Sequence, residues 1–365
     1  MSNEPNGTAR QSEAGIVGAA IVSHAPQLLT LPATEDHAQV ARIKTAMREI
    51  GESLRKLNPD LVIVISNCHA EQLVVNCVPS FLIHCGDRAA GMDRHSGDWL
   101  IDGAAGNDLL RRLMHEGFDP AFTLDLELGT AFTIAYDFCG FSRETAFLPL
   151  FVNAYVPPQP LPERCFAFGK ALARCVERMG RRAIIIASGG LSHFPATPMY
   201  PTPDVETDRV IFDRIASGNL LYLMSFDETR LDRSGNIEGR SLQILAGAIG
   251  DRKPDITMFE PSWHHVHAAF GWTRPWNPEP YVPYYPGFSV QHTQLARAIH
   301  ALINDTDART RYLNDRRAYA VQYRLTPDES EALVTLDEDR LRERFSINPM
   351  MTLQAKIRTG DKPPF

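Results

Sequence analysis

No stretch of the 365-residue chain approaches the roughly 20 consecutive apolar residues that span a bilayer. The greasiest runs, at 16–22, 61–65 and 183–187, are strand-sized. No membrane association is therefore expected. Cysteine is sparse, with six residues and no C-x-x-C pair. That is ordinary intracellular usage rather than a disulfide framework. Positive charge is not in excess: 37 Lys and Arg stand against 44 Asp and Glu, a formal net charge of −7. Such a chain has no general pull toward phosphate backbones or anionic lipid, so nucleic acid is not an expected partner. The first residues lack a basic segment followed by an apolar one, so no secretory signal is expected there. Residues 1–14 read as a short disordered leader, and the expected compartment is the cytoplasm. No internal repeat appears, and Gly189 and Gly190 belong to no dinucleotide-binding fingerprint.

What is present is an ordinary globular balance, 44% hydrophobic and 22% charged. Three short runs rich in Ile, Val and Ala, at 15–23, 60–66 and 182–188, are apolar on both faces. Such runs suit parallel strands covered by helices on each side. Helical spacing recurs at 38–57 and 166–179, and an apolar helix is expected over 241–249. This alternation predicts an α/β fold: a mixed, largely parallel sheet flanked by helices, over 15–300. Residues 84–99 read as loops. Residues 254–290, rich in Pro, Trp and Tyr, read as an irregular pocket wall or interface. From about 300 the chain turns helical and charged. Thr326-Pro327-Asp328-Glu329 is a capping box with Pro at the first helical position, predicting a helix to about Leu341. Residues 301–365 are expected to form a small helical lid domain.

The chemistry-bearing residues share a position. His24, His69 and His193 each follow the carboxyl end of a predicted buried strand. In open α/β sheets ligands bind at that edge, so three converging imidazoles suggest a metal site or an acid/base site. Glu238 is placed at the start of the 241–249 helix, where a carboxylate is favoured electrostatically. Two histidines and a carboxylate on one face of a metal leave positions open for outside ligands, the arrangement of non-haem Fe(II) oxygenases. Blander readings stand beside this one. Each histidine can be a satisfied structural residue, and Glu238 a simple helix-start carboxylate. Trp263-His264-His265-Val266-His267 can be a strand or loop with alternating faces. Ser192 beside His193 could suggest a hydrolase pair, but no G-x-S-x-G elbow surrounds it.

Four segments carry a family resemblance: Ser23-His24-Ala25-Pro26, Asn67-Cys68-His69, Gly189-Gly190-Leu191-Ser192-His193 and Gly235-Asn236-Ile237-Glu238-Gly239. With them the chain resembles the class III extradiol ring-cleaving dioxygenases, the group of protocatechuate 4,5-dioxygenase and gallate dioxygenase. The C-terminal segments Arg311-Tyr312-Leu313-Asn314-Asp315 and Tyr323-Arg324-Leu325-Thr326 resemble that group's small helical subunit, here fused to the catalytic part. The resemblance implies Fe(II) held by His24, His69 and Glu238, with His193 as acid/base. It implies a catechol-like aromatic diol and O2 as substrates, and a homodimer. Many relatives carry Asp-His-Gly midway; here Leu128 stands at the histidine position in Asp125-Leu126-Glu127-Leu128-Gly129. An apolar wall there would favour a methoxylated ring or a dihydroxypyridine such as 3-hydroxy-4-pyridone over plain protocatechuate or gallate. Ser262, Trp263 and His265 are further candidate substrate contacts. A non-catalytic metal-binding or interaction relative and a zinc hydrolase are the alternatives.

Overall fold

The computed structural model describes residues 14–69, 73, 77–92, 95–275 and 284–363. The expected leader, apart from Ala14, lies outside these residues, as do 276–283 of the aromatic stretch. The chain divides into two compact units, Met1–Trp276 and Asn277–Phe365.

The first unit is built on an eight-stranded sheet. Its strands are β1 (Gly15–Val22), β2 (Leu61–Ser66), β3 (Phe81–His84), β6 (Ala121–Thr123), β7 (Leu148–Val152), β8 (Arg182–Ser188), β9 (Ile256–Pro261) and β10 (Val266–Trp272). The order is β6-β3-β7-β2-β8-β1-β10-β9. The central run β7-β2-β8-β1 is parallel, and β10, β9 and the β3–β7 pairing are antiparallel. The three strands predicted from apolar runs are therefore the three neighbours β2, β8 and β1.

Their composition explains that central place. β2 (LVIVIS) is buried along its whole length. Its alternate residues enter two different apolar layers, as the two-residue period of a strand requires. Ile63 and Ile65 join Phe168 and Leu172 of α5 (Pro162–Arg178) on one face. Val62 and Val64 join Ile43, Met47 and Ile50 of α2 (His37–Arg55) on the other. Asp36 caps α2 by accepting from Ala38 N and Gln39 N. The remaining helices of this unit are α1 (Gln27–Thr30), α3 (Gly103–His115), α4 (Thr130–Phe138), α6 (Val205–Ala216), α7 (Glu228–Arg233) and α8 (Gly239–Ile249).

Two stretches expected to be irregular contain paired strands among their described residues. Residues 84–99 contain a hairpin of β4 (Arg88–Gly91) and β5 (Gly97–Leu100). The aromatic stretch begins with the β9–β10 hairpin. β10 is buried throughout, His267 included, so it shows no alternation of polar and apolar residues by which to recognise a strand.

The second unit is helical, with α9 (Thr293–Asn304), α10 (Thr306–Asn314), α11 (Arg316–Val321), α12 (Pro327–Thr335), α13 (Glu338–Glu343) and α14 (Pro349–Thr359). Leu295, Ile299, Tyr312, Tyr319, Leu333 and Leu341 share its core. Residue 300 falls inside α9, which contributes to that core on both sides of it. The capping box at Thr326 is formed, with Glu329 reaching back to the Thr326 backbone. The helix stops at Thr335 rather than near Leu341. Leu336 turns left-handed (φ 48°), and Asp337 caps a new helix by accepting from Arg340 N.

Candidate active site

Because β2, β8 and β1 are adjacent and parallel, their carboxyl ends share one edge. His24 stands two residues past β1, His69 three past β2 and His193 five past β8. Glu238 arrives from the opposite direction as the N-cap of α8, yet its side chain caps no helix N–H. Its carboxylate is turned to the histidines instead. His24 Nε2 and His69 Nε2 are 3.3 Å apart, and each is 3.1 Å from Glu238 Oε1. Gly190 N donates to Glu238 Oε2 at 3.3 Å, which orients the carboxylate.

The surroundings prepare these groups for a cation. Ser188 Oγ lies 2.6 Å from the Ala131 carbonyl and 2.9 Å from His24 Nδ1. A hydroxyl has one proton, and a carbonyl can only accept it. Ser188 therefore accepts from His24 Nδ1–H, leaving the His24 Nε2 lone pair facing Glu238. Burial opposes ionisation of Glu238. The imidazoles of His24, His193 and His69 around it outweigh that cost and hold the carboxyl well below its usual range. Two imidazole nitrogens and a carboxylate oxygen on one side, with the other side open to a pocket, fit a divalent metal ion that must also take outside ligands.

His193 stands beside this triad. Its Nδ1–H donates to the Leu191 carbonyl at 3.3 Å, so Nε2 carries the lone pair. Nε2 is 2.9 Å from Tyr155 Oη and 3.6 Å from Glu238 Oε1. Burial lowers the His193 pKa against the pull of Glu238, which keeps the ring neutral and able to accept a proton. Tyr155 Oη also lies 3.0 Å from Glu238 Oε1. Burial and the Glu238 charge raise the Tyr155 pKa well above its ordinary value, so the phenol keeps its proton.

Residues 18–270 match the family model described as the catalytic LigB subunit of aromatic ring-opening dioxygenase. The chain belongs to that family. Three relatives are each named 2,3-dihydroxyphenylpropionate/2,3-dihydroxicinnamic acid 1,2-dioxygenase. The protein of Mycobacterium sp. (strain MCS) is 28% identical over 193 residues, covering 52% of this chain and 61% of its own. That of Rhodococcus jostii (strain RHA1) is 24% identical over 196 residues, covering 53% and 61%. That of Burkholderia vietnamiensis (strain G4 / LMG 22486) is 29% identical over 192 residues, covering 50% and 56%. The chain thus spans about three-fifths of the length of the relatives it matches.

In this LigB-family chain His24, His69 and His193 line a cavity of about 240 Å³, room for one small molecule. Gln27, Thr130, Tyr200, His264 and His265 are also in the wall. His265, expected as a substrate contact, is there: it stacks on His193 at 4.4 Å and on His267 at 4.4 Å. Burial, then the neighbouring His267 and His193, push its pKa well below the usual range. The other three candidates do not line the cavity. Ser262 Oγ donates to the His265 carbonyl at 2.9 Å and closes the turn before β10. Trp263 is 46% exposed and donates to Glu35 at 3.2 Å. Leu128 is held by main-chain bonds to Ala90 and Met92 and packs beside His84 and Phe132. It gives the ring no apolar wall; Thr130, two residues on, is the residue that reaches the cavity. The substrate argument built on Leu128 therefore falls. Ser192 is buried and donates to Asp208 at 2.5 Å, so it is no hydrolytic nucleophile. Among the described residues no helix is long and apolar enough to cross a membrane.

Sequence reasoning missed Tyr155, Thr130, Gln27, Tyr200 and His264. Tyr155 had one available signal: it follows the apolar run of β7, the strand beside β2, just as the histidines follow theirs.

Proposed function

We propose that the protein is a non-haem Fe(II) extradiol dioxygenase that opens the ring of a small aromatic or heteroaromatic diol, incorporating both atoms of O2. The carrying observation is the convergence of His24, His69 and Glu238 at one sheet edge with the neutral His193 beside them. Family membership and the names of the relatives support the same reaction class. His24, His69 and Glu238 would hold Fe(II), which would supply Lewis-acid activation of the diol and electrons for O2.

This chain's own residues do the rest. Ser188 holds His24 with Nε2 forward. His193 Nε2 accepts a proton from a ring hydroxyl and later returns it as the O–O bond breaks, work that suits an imidazole near neutral pH. Tyr155 stays protonated and braces His193 against Glu238. The stacked faces of His265 and His193 keep the base from rotating. The small-subunit role of the helical unit and the homodimer belong to the same proposal, carried by the resemblance, as does the cytoplasmic location.

The test is anaerobic reconstitution with Fe(II) followed by O2 uptake. The panel holds protocatechuate, gallate, 3-O-methylgallate, 3,4-dihydroxypyridine and 2,3-dihydroxyphenylpropionate. The expected result is uptake with at least one diol, lost in His193→Ala. Iron-loaded protein that consumes no O2 with any of them, or a preparation that selects zinc, would overturn the proposal.

A further inference from the structure

Asp208 is a carboxylate that the chemistry above does not use. It lies in the first turn of α6 and is fully buried. Its donors are neutral: Ser192 N at 3.0 Å and Ser192 Oγ at 2.5 Å to Oδ2, and Asn236 Nδ2 at 2.9 Å to Oδ1. Burying a carboxylate among neutral donors is costly, and a well-packed apolar side chain at the same place would cost less. What an apolar side chain cannot do is join two loops.

The loops it joins are the two that matter. Ser192 immediately precedes His193, and Asn236 lies two residues before Glu238. One carboxylate oxygen serves each. The Asn236 amide is held in this orientation because its second N–H is shared between Ser234 O at 3.3 Å and Ser234 Oγ at 3.2 Å. A main-chain bond from His193 N to Gly235 O at 3.1 Å runs alongside. Ser192 O accepts from Val266 N at 3.0 Å, which ties the same loop to β10. Nothing else in the first unit bridges the two loops through a side chain on a separate helix, among the described residues.

We propose that Asp208 is a positioning residue that sets the His193 loop and the Glu238 loop in register, one carboxylate oxygen for each. The proposal rests on the acid/base and metal-ligand roles given above. Outer partners that orient ligating and reacting groups contribute about 10–100-fold in metal affinity or activity.

The two oxygens make the effects separable. The measurements are the Fe(II) dissociation constant by anaerobic chelator competition, kcat and KM for ring opening, and Tm. Ser192→Ala is expected to lower kcat about tenfold with the metal constant within about twofold of the parent. Asn236→Ala is expected to raise the metal constant about tenfold. Asp208→Ala should do both. Asp208→Asn can still accept from Ser192 but places an amide N–H against Asn236, so it should resemble Asn236→Ala. A role in general stability alone would move metal affinity, kcat and Tm together in every variant, and that result overturns the proposal. So does a folded Asp208→Ala that keeps both constants within twofold. Where Asp208→Ala does not fold, Asp208→Asn and the two partner variants decide. If the parent protein opens no diol, the proposed function fails. The metal constants of Asn236→Ala and Asp208→Asn still decide this inference: unchanged constants overturn it.

Discussion

Ser188 fixes which nitrogen of His24 faces Glu238. Its only proton goes to the Ala131 carbonyl, 2.6 Å away, so its oxygen must accept from His24 Nδ1, 2.9 Å away. Removing the hydroxyl lets the ring take the other tautomer or rotate. Ser188→Ala is expected to weaken Fe(II) binding about 10–100-fold with little change in fold, as loss of such partners does elsewhere. Chelator competition on the anaerobic protein measures it, and unchanged affinity would show that the tautomer is set by another group.

Tyr155 has one proton and two acceptors, His193 Nε2 and Glu238 Oε1. Directed to His193, the phenol stabilises the neutral imidazole. Tyr155→Phe then raises the His193 pKa and moves the acid limb of the kcat/KM profile upward, by about 0.7 pH unit for a hydrogen bond worth about 1 kcal/mol. A limb that stays in place, with weakened metal binding instead, would assign the proton to Glu238.

Gly190 has no room for a side chain. A methyl at its Cα would meet His265 Nε2 at 1.9 Å. His265 stacks on His193 at 4.4 Å, so its displacement is passed to His193. Gly190→Ala is expected to cost about 1–3 kcal/mol of stability and to lower kcat at least tenfold. A variant with parental kcat and Tm would mean that His265 moves freely away from His193.

Asp208 makes stability depend on pH. Burial raises its pKa from 3.8 to about 6, against hydrogen bonds from Ser192 and Asn236. The folded pKa exceeds the unfolded one, so the favourable contribution of the protonated form is complete below pH 4 and is lost as pH rises through 6. Over that window the group weakens folding by on the order of 2–3 kcal/mol. Asp208→Asn should flatten this part of the stability profile, as read by denaturant midpoints at several pH values. A slope that survives the substitution would move its origin to another carboxyl.

The apolar runs at 15–23, 60–66 and 182–188 could be read directly, because a strand buried on both faces is apolar along its length. The positions of His24, His69 and His193 followed from them. A residue just past the carboxyl end of a central parallel strand is carried to the binding edge wherever the rest of the chain goes. The capping box at Thr326 was equally local. Three-residue hydrogen bonding decides it, and no distant group is needed.

Tertiary structure alone decided what meets these residues. The bond from Ser188 to Ala131 spans 57 positions, Tyr155 reaches Glu238 across 83, and Asp208 joins loops 16 and 28 positions away. No periodicity or short motif encodes such pairings; they exist only once β7, β2, β8 and β1 are laid side by side. The same cause moved Leu128 out of the cavity, since main-chain pairing with Ala90 and Met92 overrides what its place in a motif suggests. The sequence by itself determined the three central strands β1, β2 and β8, the edge they share and the four candidate groups placed there. The fold decided their protonation, their bracing and the wall that a substrate meets, because hydrogen bonds and burial depend on distance in space rather than along the chain.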